Sequence, residues 1–271
     1  MRPNTVKQRL KQGESIINGW VGMPSPLSAE IVGLAGFDAV TVDMQHGMIG
    51  FDAALPMLQA ISATPAIPLV RVPSNDGPVI MHLLDAGAYG VICPMISTAQ
   101  QAQAFVSACR YPPKGERSFG PSRALLYGGA DYYAHADQAI LTLAMIETQQ
   151  GLDHVDDILG VDGLDGVFIG PNDLSLALGQ EPNSEPEAEV VVQAIAHILA
   201  RAQVHGKIPG IFCSSGQAAA MRLAQGFKIV VPGNEMTYLK QAASQAVEQA
   251  TKQTAHHTST QTDTASDAGG Y

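Results

Sequence analysis

Charge is scarce in this chain: Asp, Glu, Lys and Arg make up 15% of its 271 residues. What charge there is leans acidic, 25 carboxylates against 15 Lys and Arg, for a net −10. The cations form no stripe, which argues against nucleic acid as a partner, because neutralising phosphates needs clustered cations. An acidic protein that binds an anionic substrate must place a local cation in its site, either a metal or a buried Arg. So low a charged fraction also points to surface hidden in a homo-oligomer. Cysteine is sparse as well. Cys93, Cys109 and Cys213 lie far apart, with no CxxC and no histidine at ligand spacing. That excludes a disulfide framework and predicts reduced, buried thiols in a cytoplasmic protein. No apolar run approaches the ~20 residues that span a bilayer. Met1–Lys11 is polar and basic, so no signal peptide is expected. No Gly-rich phosphate fingerprint follows the first strand, which disfavours an open doubly wound sheet.

What is present is 46% hydrophobic residues, laid out in short β-rich runs that alternate with helical stretches. The strand candidates are Trp20–Met23, Ala39–Asp43, Pro68–Val72, Gly90–Pro94, Leu141–Glu147, Gly166–Ile169, Pro209–Cys213 and Lys228–Val231. Helix signals fall between them. Asn75 and Asp76 can cap Pro78–Asp85, which stops at Gly87; Ser97 and Thr98 can cap Ala99–Cys109; Ser28–Leu34 ends before Gly36. Such a run of βα units predicts an α/β fold, the (β/α)8 TIM barrel, as a single domain over residues 1–250. From Thr251 to Tyr271 the chain is Thr, Ser, Gln, Ala and Gly without apolar periodicity. A disordered polar tail is expected there, with no metal role for its His256 and His257.

In such a barrel the active site lies at the C-terminal ends of the strands, so polar residues there are informative. The second strand halts at Asp43, with His46 three residues on. A carboxylate can fix the tautomer of a nearby histidine and raise its basicity, which suits a general base; alternatively Asp43 caps the loop beside a surface histidine. Arg71 shares a strand face with Leu69, and both faces of a barrel strand are covered. A buried guanidinium needs a substrate anion or a structural ion pair. Glu147 ends the fifth strand on the face of Leu141, Leu143 and Met145, where an unpaired carboxylate is costly unless a metal ion meets it. Beyond the sixth strand, Gly170-Pro171-Asn172-Asp173 makes a tight turn whose amides could hold a carboxylate. Asp173 is either a helix N-cap or, with Glu147, a second hard oxygen ligand for Mg2+ or Mn2+. Trp20 reads as core, and His82, His135, His154, His197 and His205 as surface residues. Asp85, near a helix end, is ambiguous.

These segments resemble the HpcH/HpaI family of class II, metal-dependent pyruvate aldolases. The likeness runs through Gly36–Gly47 (GFDAVTVDMQHG), Pro68–Asp76 (PLVRVPSND), Leu83–Met95 (LLDAGAYGVICPM), Arg110–Arg117 (RYPPKGER), Ile146–Glu147 and Val161–Ser175 (VDGLDGVFIGPNDLS), reaching to about residue 240. It implies that Glu147 and Asp173 hold a divalent metal (Mg2+, Mn2+ or Co2+) and that His46 is the base, with Asp43 as its acid partner. Arg71 would stabilise the enolate oxygen. Asp85 would make the histidine more basic across a subunit contact of a hexamer, and Gly170 and Asn172 would contact the substrate carboxylate. The reaction so implied cleaves or forms 4-hydroxy-2-oxo acids from an aldehyde and pyruvate, or an analogue such as hydroxypyruvate. Two positions depart from the family pattern. Gln45 stands where Glu is usual before the histidine, and Met145 where Gln is usual before the metal Glu. Methionine cannot donate a hydrogen bond, so the keto-acid pocket is altered.

Other readings use the same scaffold. A 2-oxo diacid decarboxylase or a CoA-ester lyase could run through the same enolate, though the chain is poor in basic residues for CoA phosphates. A non-catalytic binding barrel is disfavoured by the intact Glu147, Asp173, Arg71 and His46. No strand-borne lysine is placed for a Schiff base: Lys114 and Lys207 lie in loops, and Lys228 opens the eighth strand at the wrong end.

Overall fold

The computed structural model describes residues 1–262, with side chains through Thr251. Eight strands, β1 (Ile16–Val21), β2 (Ala39–Asp43), β3 (Ile67–Arg71), β4 (Gly90–Cys93), β5 (Leu141–Ile146), β6 (Gly166–Ile169), β7 (Ile208–Phe212) and β8 (Ile229–Val231), run parallel in sequence order. The barrel closes where Ile16 and Ile17 of β1 pair with Ile229 and Val230 of β8. Closure is why β1 begins at Ile16 rather than at the expected Trp20: Asn18 and Gly19 interrupt the apolar run in sequence, but the pairing carries the strand through them. Every residue of β2 and of β5 is buried, as expected of parallel strands covered on both faces.

Helix α1 (Thr5–Lys11) precedes β1, while α2 (Pro26–Leu34), α3 (Phe51–Ser62), α4 (Gly77–Asp85) and α5 (Ala99–Cys109) follow β1 to β4 in turn. Two short helices, α6 (Ser122–Gly128) and α7 (Tyr132–Ala139), lead into β5. The pair α8 (Gln149–Asp153) and α9 (Val155–Leu159) follows β5; α10 (Pro171–Ala177) and α11 (Glu189–Val204) follow β6. Last come α12 (Gly216–Gln225) and α13 (Glu235–Thr262). The expected caps form at Asp76, which accepts from Val79 N at 3.2 Å, and at Thr98, which accepts from Gln101 N at 3.2 Å. Asp173 is not a cap: Gly170 occupies that position, and Asp173 sits inside the first turn of α10.

The barrel unit is Met1–Glu235, and the chain from Met236 on forms a second unit. The domain end expected at residue 250 therefore falls inside α13. Of the polar tail expected from Thr251, the backbone is helical through Thr262, the His256 and His257 side chains lie outside the described residues, and so do residues 263–271. All three cysteines are free and buried. Among the described residues no helix is long and apolar enough to cross a membrane.

Two consequences position the site. The strands all point the same way, so the segments after Val21, Asp43, Arg71, Cys93, Ile146 and Ile169 meet at one rim. Helices return antiparallel to the strands, so a residue at a helix C-terminus sits at the other rim.

Candidate active site

Parallel register sets Asp43 of β2 directly beside Arg71 of β3. Their side chains form a two-pronged pair, Arg71 Nε to Asp43 Oδ1 at 2.8 Å and Arg71 Nη2 to Asp43 Oδ2 at 2.5 Å. Arg71 is only 8% exposed, and its Cζ lies 4.8 Å from the centre of the Trp20 ring. The Trp20 indole N–H also donates to Asp43 Oδ2 at 3.1 Å, and the Gln45 and His46 amides donate to Oδ1 at 3.1 and 3.3 Å. Burial opposes the Asp43 charge. The hydrogen bonds and charge of Arg71, helped by Trp20 and the His46 amide, outweigh it and hold the carboxyl below its ordinary 3.8. This corrects the role expected for Asp43. It does not touch the His46 ring; it fixes the backbone of the His46 loop and the plane of the Arg71 guanidinium. Trp20, read from sequence as plain core, is buried against Phe168 and Phe212 and also completes this cage. An indole at a strand position carries no sequence signal that separates the two roles.

Glu147 lies one residue past β5 and is 2% exposed. Its Oε1 accepts from Met95 N at 2.8 Å, while its Oε2 is buried without a partner. Met95 reaches it with φ +58°, the left-handed region that non-glycine residues rarely adopt. Burial pushes the Glu147 carboxyl up to about 7; the Met95 amide and Arg71 oppose the rise and Asp173 adds to it. Gly170 leaves room for this carboxylate. A Cβ there would lie 2.6 Å from Glu147 Oε2, 3.2 Å from Met145 Cε and 3.8 Å from Asp173 Oδ2. The structure thus brings Glu147, Asp173 and Met145 together around one glycine. Asp173 is half-buried and makes no hydrogen bond or ion pair within the described residues. Among those residues no group of three or more His, Cys, Asp and Glu converges. Two carboxylates, one with a desolvated free oxygen, fit a hard divalent cation that keeps positions open for water and substrate.

His46 stands exposed on the loop beyond β2. Asp85 is not part of this rim. It ends α4 at the opposite face and pairs with the fully buried Arg117 at 2.7 Å, which also donates to the Tyr132 hydroxyl at 3.0 Å. Asn172, exposed, bonds Ser184 at 3.1 Å. The first intrahelical bond of α10 is Leu174 N to Gly170 O at 3.0 Å, which leaves the Asn172 and Asp173 amides ahead of it for a ligand. Lys7, unremarked in the sequence, is buried against Asp165 at 2.7 Å and the Ile140 carbonyl at 2.7 Å. Desolvation lowers its pKa to about 8, against the pull of Asp165. Those partners precede β5 and β6, so Lys7 is at the rim away from Glu147. Lys207 and Lys228 likewise precede β7 and β8, as expected.

A closed (β/α)8 barrel with a caged arginine and two converging carboxylates at the C-terminal rim has the layout of an active site. The chain belongs to the HpcH/HpaI aldolase/citrate lyase family, whose model matches residues 17–242. It is 47% identical over 242 residues to the hydroxypyruvate/pyruvate aldolase of Rhizorhabdus wittichii, covering 89% of this chain and 96% of that protein. A 5-keto-4-deoxy-D-glucarate aldolase of Shigella dysenteriae is 38% identical over 246 residues, covering 90% of this chain and 95% of its own length. The crystal structure of an HpcH/HpaI aldolase/citrate lyase family protein from Burkholderia cenocepacia matches with TM-score 0.86 at 30% identity, covering 91% of this chain and 99% of that one.

Proposed function

We propose that the protein is an aldolase. It cleaves 4-hydroxy-2-oxo acids to an aldehyde and pyruvate, or an analogue such as hydroxypyruvate, and runs the reverse addition. The observation that carries this reading is the desolvated Glu147 carboxylate, with its free Oε2 beside Asp173 and its caged neighbour Arg71. Glu147 and Asp173 would hold Mg2+, Mn2+ or Co2+, which when bound supplies Lewis-acid polarisation of the 2-oxo group. Arg71 adds a fixed positive charge where the 2-oxo oxygen turns negative as the C3–C4 bond breaks. Its Asp43 and Trp20 contacts hold the guanidinium in place, so no reorganisation is needed at that moment. His46 takes the proton of the C4 hydroxyl as that carbon becomes the aldehyde carbonyl, and the same proton is then delivered, directly or through water, to C3 to give pyruvate. Run backwards, His46 returns the proton to the new hydroxyl. Met145 presents a methyl beside Gly170 to the donor.

Asp85 faces away from its own barrel mouth, so any help it gives His46 comes from a neighbouring subunit of a homo-oligomer. Pyruvate release from a panel of 4-hydroxy-2-oxo acids, before and after EDTA dialysis and with metal restored, tests the reading. Glu147→Ala should lose the metal-restored activity while staying folded. Wild-type turnover by that variant after EDTA would refute the site, and release of CO2 from 2-oxo diacids or a CoA requirement would favour the other reactions of the scaffold.

A further inference from the structure

We infer that Glu235 is a positioning residue for this reaction, acting on His46 through the turn that follows β1; the role rests on the reading of His46 as the base. Glu235 opens α13 just beyond β8 and is 5% exposed. Its Oε1 accepts from two successive amides, Gly22 N at 2.6 Å and Met23 N at 2.7 Å. The turn so fixed supports the His46 loop. Met48 N donates to the Gly22 carbonyl at 2.9 Å. At Gly47 the two loops touch: a Cβ there would collide with the Asp43 carbonyl and lie 2.9 Å from Gly22 Cα and 3.0 Å from Gly22 O. His46 is therefore slung between two anchors. One is Asp43 Oδ1, which takes the His46 amide at 3.3 Å; the other is the Gly22 carbonyl.

The His46 ring is exposed and makes no hydrogen bond among the described residues, so its placement depends wholly on this backbone. Removing Glu235 would leave the buried Gly22 amide and the part-buried Met23 amide without an acceptor and release the second anchor. A carboxylate is a costly way to tie a turn, since a backbone carbonyl or an Asn would serve. The cost is evident here, because Glu235 Oε2 is buried without a partner. What the charge adds is strength, charge-assisted hydrogen bonds being roughly twice as strong as neutral ones. That strength matters where an error of ~1 Å in a reacting group can cost about a hundredfold in rate.

A double-mutant cycle reads this coupling, with kcat and KM for pyruvate release measured on Glu235→Ala, His46→Ala and the double variant beside thermal melts. Glu235→Ala should lower kcat by about 10- to 100-fold. KM should hardly move, because Arg71, Glu147 and Asp173 are untouched. Glu235→Gln, which keeps the Oε1 acceptor but loses the charge, should fall between Glu235→Ala and wild type in kcat. In the His46→Ala background, Glu235→Ala should cost almost nothing further. Where Glu235→Ala does not fold, Glu235→Asp, which keeps the charge but withdraws it by one methylene, carries the same cycle. Equal losses in both backgrounds, or wild-type kcat for the folded Glu235 variant, would overturn the role. If His46→Ala itself keeps wild-type turnover, the base assignment fails and this role with it.

Discussion

Replacing Glu147 with Gln should make the metal-free protein more stable, and only above a certain pH. The wild-type carboxyl is raised from 4.5 to about 7 by burial, with Asp173 adding repulsion. Each tenfold change in acidity is about 1.4 kcal/mol, so the ionised form costs the fold about 3 kcal/mol. The sign follows from proton counts. Below pH 4.5 the carboxyl is protonated in both folded and unfolded chains and the cost is absent. Between 4.5 and about 7 the folded protein keeps a proton that the unfolded chain has released, so stability falls as pH rises. Above about 7 the full cost is present. The substituted carboxamide cannot ionise, although its N–H donors replace an oxygen that had no partner, which returns about 1 kcal/mol of the gain. The net expectation is a variant about 2 kcal/mol more stable than wild type at pH 8 and no more stable at pH 5. Urea denaturation in EDTA at pH 5, 6, 7 and 8 measures the difference, in which all other titrating groups cancel. Mg2+ should remove the advantage by stabilising only the wild type. Parallel stability curves for the two proteins across that range would show that Glu147 carries no desolvation cost.

Arg71→Ala should lower kcat by ~10²–10³ with saturating metal, and Arg71→Lys should not rescue it, because an ammonium lacks the planar fork. Arg71→Ala should also lower stability in urea by about 3–5 kcal/mol, since Asp43 is left buried and unpaired; a folded variant within tenfold of wild-type kcat would make Arg71 a structural partner only. Gly170→Ala places a Cβ 2.6 Å from Glu147 Oε2, so calorimetry should find Mg2+ affinity reduced at least about tenfold, and unchanged affinity would mean the free oxygen is not a ligand. Light scattering should find a stable oligomer at micromolar protein, and a monomer would remove the cross-subunit role of Asp85.

The sequence by itself determined the barrel and most of the rim. Short runs of β-branched and apolar residues, each stopped by Gly, Pro or a capping Asp, Ser or Thr, encode eight βα units locally, since both faces of each strand must be apolar. The charges at or near the ends of those runs, Asp43, Arg71 and Glu147, were legible because a charge at a buried strand position needs a partner. Asp173 was legible as one of two possibilities, and only the observed start of α10 at Pro171 decided between them. Partners were not legible. That Asp43 grips Arg71 and the loop backbone rather than the His46 ring follows from the β2–β3 register, and register is fixed by barrel closure, a property of all eight strands at once. That Asp85 sits at the far rim follows from the antiparallel return of α4. Trp20, Met95 and Glu235 act through an indole N–H, an amide and two accepted amide bonds. Such contacts depend on residues between 23 and 213 positions apart being brought within hydrogen-bond reach, and no local pattern in a chain records them.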